Sequence, residues 1–243
     1  MSPFSLARNA ALGMSALGTA TFASAFHPQT QLFGAFPYRG PAEDKVVALS
    51  FDDGPNEPYT SRLLDVLEGR GVLATFFQVG RCAMRFPSAT RRVVASGHVL
   101  GNHSYSHSLV SYVRAPRQER ELERAQEVFA SIAGVTPALY RPPWLCHWPW
   151  VLQTVREHRL QVVSGTFGHP FEVLQPPASL LTSGAAALAR PGSILIFHDG
   201  REARGGPRDQ SVAAIGPLID RLRDDGYRFT TVDQLLDVPA YAA

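Results

Sequence analysis

Lysine is almost missing from this sequence: of 23 lysine and arginine residues only Lys45 is a lysine. No basic run is interleaved with aromatic residues, and a formal net charge of +2 is small, so the electrostatic footprint of a nucleic-acid partner is lacking. Cysteine is scarce as well. Cys82 and Cys146 lie in unrelated segments, which excludes a CxxC pair and a disulfide framework; they pair only if the fold brings them together.

Long apolar runs are also lacking. Between Asn9 and Tyr38 there is no Asp, Glu, Lys or Arg, yet "ALGMSALGTATFASA" is interrupted by Gly, Ser and Thr and is too polar for a membrane span. Its Ala23-Ser24-Ala25 ending resembles the A-x-A site of a secretory signal behind a single Arg8, which implies a secreted or cell-envelope protein. The alternative is an arm packed on a cytoplasmic domain. Residues 1–40 are therefore read as an N-terminal arm or signal-like segment and 41–243 as one catalytic domain, without internal repeats or low-complexity linkers. With 45% hydrophobic and 18% charged residues, a chain of 243 can bury one sizeable core.

What is present is an alternation of strand and helix signals. "VVALSF", "VLATFFQVG", "HVLGNHS", "PALYRPPW", "LQVVSGTF", "GSILIFHDG" and "YRFTTV" are seven strand candidates, and helices are predicted over 59–67, 87–97, 116–133, 150–158, 178–190 and 211–225. Such an order predicts an α/β fold with parallel pairing and helix-covered faces, either a barrel or an open sheet.

Four strand candidates run into reactive side chains: Asp52 and Asp53, His103 and His107, Arg141, and His198 and Asp199. Working residues collect at the carboxyl ends of parallel strands because the loops there converge on one face. Adjacent residues of a strand point to opposite faces, so Asp52 and Asp53 leave the chain in different directions within one neighbourhood. His103 and His107 are four apart, and one helical turn would aim both imidazoles the same way. A histidine pair alone is commonly structural. Joined to a carboxylate it makes a two-His, one-carboxylate set that suits a divalent cation, with open positions for water and substrate, and the same set suits a non-heme iron oxygenase.

"SFDDGP" at 50–55, "HSYSH" at 103–107, "YRPPW" at 140–144 and "ILIFHDG" at 194–200, in that order, resemble the motifs of the polysaccharide deacetylase (NodB-homology) family, the family-four carbohydrate esterases; "GYRFTTVDQLL" is similar to that family's ending. The resemblance covers roughly residues 45–236. It implies a distorted (β/α) barrel of about seven parallel strands and a metal-dependent hydrolase that removes acetyl groups from N-acetylated amino sugars or, in some members, O-acetylated glycans. By motif position Asp53, His103 and His107 would hold one divalent metal, zinc first, with cobalt, nickel or manganese as alternatives. Asp52 would be the general base, His198 the general acid and Arg141 the residue that orients Asp52. Trp144, Pro143 and Leu195 would contact substrate, Leu195 within an acetyl pocket, and the Trp144 main-chain N–H would serve the oxyanion. The implied partner is an acetylated carbohydrate, whether glycan, oligosaccharide or glycosylated small molecule. Membrane association and oligomeric state are not specified.

Two departures stand out. The family's Asp-Trp pair, whose Asp would contact the arginine, is missing: "VVSGTFGHPFEV" has no Asp between Ser164 and Val173, leaving His169 or Glu172 as the expected substitute beside Arg141. A catalytically impaired glycan-binding relative is the alternative which that gap suggests. All three tryptophans fall in "RPPWLCHWPW"; Trp148 and Trp150 belong either to the site or to packing at the start of the next helix.

Overall fold

The computed structural model describes residues 22–113 and 115–242. The signal-like residues ahead of Phe22 lie outside the described residues. Among the described helices none is long and apolar enough to cross a membrane.

The continuous apolar run at the start forms β1 (Val46–Asp52), buried on both faces as a central parallel strand must be. Helix α1 (Tyr59–Glu68) turns Leu63, Leu64 and Leu67 inward and leads to β2 (Thr75–Gln78). Two helices follow, α2 (Gly80–Arg85) and α3 (Pro87–Ala95), the second opening on a proline whose missing N–H is no loss at that position. Then come β3 (Val99–Asn102), α4 (Leu109–Val113) and α5 (Ala115–Ala133), which buries Leu122, Ala125 and Phe129 along one stripe and stops at Gly134, φ 69°. The rest is β4 (Leu139–Tyr140), α6 (Pro149–Glu157), β5 (Gln161–Val162), β6 (Thr166–Phe167), α7 (Ala178–Leu188), β7 (Ile194–His198), α8 (Asp209–Asp224), β8 (Arg228–Thr230) and α9 (Val232–Leu236). Helices α2, α4 and α9, of five or six residues, gave no periodic signal; at that length a helix is held by its neighbours rather than by its own pattern.

All pairings between these strands are parallel, and the sheet runs β5-β4-β3-β2-β1-β7-β6. Seven candidates become eight strands because "LQVVSGTF" serves two neighbours: its first half pairs with β4, its second with β7, and only Val163, Ser164 and Gly165 intervene. The sheet thus curls into a distorted barrel. Strand β8 takes the lower half of the β1 edge, opposite Val46–Ala48, while β2 pairs higher up, opposite Ser50–Asp52.

The period of two sorts the side chains. Val47, Leu49, Phe51, Phe76, Leu195 and Phe197 face outward into the core under α1 and α8. Ala48, Phe77, Val99, Leu139 and Ile194 fill the interior. Above them the same inner faces continue as Ser50, Asp52, Gly101, Arg141 and His198, so an apolar floor carries a polar upper layer. Gly101 pairs with Phe77 in register, and a Cβ there would stand 2.5 Å from the Phe77 ring, which in turn lies 4.1 Å beneath the Arg141 guanidinium.

Because that ring has nowhere to go in a closed interior, Gly101→Ala is expected to cost about 1–3 kcal/mol and lower the melting temperature by roughly 2–10 °C. Thermal denaturation followed by circular dichroism tests it; an unchanged midpoint means the interior can yield at this layer.

Candidate active site

Asp52 ends β1 on the inner face. Asp53 follows with φ 73°, a left-handed turn that swings its carboxylate sideways toward β3. Beyond β3, His103 and His107 do not lie on a helical turn. The segment is a loop with Ser104 and His107 at φ 69° and 54°, braced by Asn102 Oδ1 on the Ser104 N–H (2.8 Å) and by Glu121 on the Ser106 N–H (2.6 Å) and hydroxyl. Backbone strain held by side-chain hydrogen bonds, not helical spacing, brings the two imidazoles together.

Their Nε2 atoms stand 3.3 Å (His103) and 3.0 Å (His107) from Asp53 Oδ1. His103 Nδ1 is 2.6 Å from the Arg141 carbonyl oxygen and donates to it, which leaves Nε2 as the ring nitrogen that faces the aspartate. Asp53 Oδ2 accepts the Glu202 N–H at 2.8 Å, while Oδ1 is buried without an aligned hydrogen bond. Burial alone would raise the Asp53 carboxyl; His103, His107 and His198 beside it hold it well below the usual carboxylate range. Two imidazole nitrogens and a carboxylate oxygen without a hydrogen-bond partner converge on one buried point, so the donor set fits a divalent metal.

Arg141 is fully buried and donates from Nη1 to Asp52 Oδ1 at 2.7 Å and to Ser50 Oγ at 2.8 Å. Its other side rests on main chain: Nη2 donates to the Ser164 carbonyl at 3.1 Å and Nε to the Val163 carbonyl at 3.3 Å. Neither His169 nor Glu172 therefore replaces the missing acidic partner of Arg141. His169 Nδ1 instead accepts the Phe171 N–H at 3.2 Å. Glu172 reaches the opposite wall, where its Oε2 accepts from His198 Nδ1 at 2.7 Å and its Oε1 from the Ser211 hydroxyl. Burial works against a charged His198, but the charge and hydrogen bond of Glu172 outweigh it and push the imidazole up to about 9. Glu172 itself is held below the usual carboxylate range: burial raises it, and His198 lowers it further.

The polysaccharide deacetylase family model matches residues 39–163, just over half of the chain. The chain belongs to that family. It is 31% identical over 204 residues to a peptidoglycan-N-acetylglucosamine deacetylase of Bacillus cereus, covering 84% of this chain and 93% of that protein. A solved peptidoglycan N-acetylglucosamine deacetylase structure superimposes with a TM-score of 0.78 at 29% identity, over 86% of this chain and 95% of the other. A family 4 acetyl xylan esterase from Clostridium thermocellum, solved in complex with a cobalt ion, matches with a TM-score of 0.72 at 31% identity, over 81% and 94%. The curled parallel sheet is accordingly the fold of these hydrolases.

Within this deacetylase fold, the expected substrate contacts divide. Asp52, Asp53, His103, His107 and His198 line a cavity of about 300 Å³ whose apolar walls are Trp144, Leu145, Phe167, Pro170 and Val173. Trp144 and Leu145 both hold left-handed backbone, φ 54° and 55°, and Trp144 packs edge-on to His107 at 4.3 Å. Pro143 is not at the cavity surface; it begins the 3₁₀ turn that presents those two residues. Leu195 is a correction. One residue out of phase with Ile196 and His198, it points into the outer core, and only its carbonyl turns inward, accepting the Ser50 hydroxyl at 3.1 Å. Leu145 and Phe167 went unnoticed in the sequence because nothing local distinguishes a cavity wall from a core residue.

Trp148 and Trp150 stack on each other (5.2 Å, 8°) at the start of α6, away from the cavity, with Phe22 and Phe33 against Trp148. Cys82 and Cys146 are free and buried, and burial pushes both thiols up to about 12.

A raised pKa means that the His198 charge is present below the unperturbed value near 6.5 and is lost only as pH rises through about 9. Glu172→Gln removes the partner of that charge, so the imidazole is expected to titrate at lower pH. NMR titration of the histidine side chains measures this; an unmoved resonance would break the assignment of Glu172 to His198.

Proposed function

We propose that this chain hydrolyses the acetamide of an N-acetylated amino sugar to acetate and a free amine. The observation that carries the reading is a carboxylate and an imidazole held by different partners across one cavity. Arg141 aligns Asp52 through a 2.7 Å hydrogen bond, and Glu172 keeps a proton on His198. Amide hydrolysis needs both at once: a base to deprotonate the attacking water, and an acid to protonate the nitrogen as the carbon–nitrogen bond breaks.

Asp52, held by one oxygen, takes the water proton. His198 gives its proton to the leaving amine. The Trp144 N–H serves the developing oxyanion, and the walls formed by Trp144 and Leu145 accommodate the acetyl methyl. Asp53, His103 and His107 are the residues that would hold a divalent cation, zinc first; such a cation supplies Lewis acidity at the carbonyl and lowers the pKa of water. Against the reading as an inactive glycan-binding relative stands the hydrogen bonding of Arg141, which two carbonyls complete without the acidic residue missing from the motif. The name of the Clostridium relative favours an O-acetyl ester as the second reading, because an ester needs the same base and a less demanding acid.

Acetate release from N-acetyl and O-acetyl glycans, with zinc, cobalt, nickel or manganese added, tests the reaction and separates the two linkages. The expected result is release from an N-acetylglucosamine substrate; no release under any metal would sink the proposal. Elemental analysis should find about one divalent metal per chain, lost in Asp53→Ala, His103→Ala and His107→Ala, because a three-donor site cannot spare one. Retention in all three would dismiss the ligand set. Asp52→Asn should keep the metal and lose on the order of 10²–10⁴-fold in kcat, since an amide of the same shape accepts no proton. Turnover within severalfold of wild type would remove Asp52 from the role of base.

A further inference from the structure

The guanidinium of Arg141 rests on two consecutive carbonyls, Val163 and Ser164, which lie where the "LQVVSGTF" segment leaves β4 and has not yet joined β7. The last bond to β4 is the Val163 N–H on the Tyr140 carbonyl at 2.9 Å; the Ser164 N–H turns instead to the segment ahead of β1. Ser164 donates its N–H to the Pro37 carbonyl at 2.9 Å and its hydroxyl to the Pro28 carbonyl at 2.5 Å. Both acceptors belong to one loop that is pinned in turn. Gln31 accepts the Phe36 N–H at 2.8 Å and donates to its carbonyl at 3.2 Å, and the Phe36 ring is buried among Tyr140, Leu152 and Val155. Ser164 is itself buried.

We propose that the 28–37 loop and Ser164 form a clamp that positions Arg141, and through it the Asp52 carboxylate, in place of the acidic side chain the motif lacks. The inference rests on the reading of Asp52 as the base. The family match begins at residue 39 and ends at 163, so the loop and Ser164 both fall outside it. A side-chain carboxylate holds an arginine by its charge. Neutral carbonyls can do so only if the peptides carrying them are fixed, and a three-residue gap between two strand pairings is fixed by whatever lies across it. Ser164 is thus a positioning residue, one hydrogen bond removed from Arg141 and two from Asp52.

The test uses the full chain. Ser164→Ala removes the bond to Pro28 and leaves the carbonyls in place; kcat is expected to fall about 3- to 10-fold, the worth of one such bond, with KM within roughly twofold. Solvent exchange of the Arg141 Nε–H, followed by NMR, is expected to accelerate together with that loss. Ser164→Thr, which keeps the hydroxyl, should restore both. A purely structural serine would leave the Arg141 exchange rate where it was. Unchanged kcat and exchange in Ser164→Ala, or a loss of kcat with exchange unchanged, would overturn the clamp. Should Ser164→Ala fail to fold, Gln31→Ala frees the Phe36 peptide from the outside of the loop and is read in the same way. Asp52→Asn keeps the two readings apart: if it turns over like wild type, the base assignment fails, while the Arg141 exchange rate still decides whether the clamp exists.

Discussion

An arginine without access to water has to be answered on every side, and Arg141 organises this molecule for that reason. Taking a guanidinium and a carboxylate out of water costs several kcal/mol per ion unless further hydrogen bonds meet the remaining donors. Here Asp52 and Ser50 take Nη1, the Ser164 and Val163 carbonyls take Nη2 and Nε, and the Phe77 ring lies beneath the plane. The upper layer of the barrel interior is polar because of this demand. Gly101 is bare because Phe77 needs its space. The Arg141 peptide carries a second duty, since its carbonyl fixes the His103 ring at 2.6 Å. One residue thus ties the Asp52 carboxylate to the His103 ring.

Across the cavity lies a second buried pair. Glu172 stabilises a proton on His198, and the Ser211 hydroxyl meets its other oxygen. The two carboxylates of one small cavity differ in what each one touches. Asp52 faces a permanent cation, whereas Glu172 faces a group whose charge it creates. The 3₁₀ turn at Glu172–Leu174 brings the Glu172 side chain to His198 from a loop beyond β6.

The sequence by itself determined the strands, the parallel α/β class and the identity of the groups that meet. Apolar runs ending in Asp, His and Arg can only be buried strands with polar ends, and parallel strands send those ends to one face. It offered His169 or Glu172 for the missing aspartate beside Arg141, and neither stands there. What it did not determine was direction. The 103–107 loop converges through two left-handed residues and a glutamate from α5, Leu195 faces outward by a phase of one residue, and "LQVVSGTF" divides between two partners at Ser164. Glu172 serves His198 rather than Arg141. Each of these depends on contacts between segments dozens of residues apart, and no local pattern encodes them. A residue's chemistry is a property of its side chain, but which group that side chain meets is decided only when the sheet closes and the loops are packed against it.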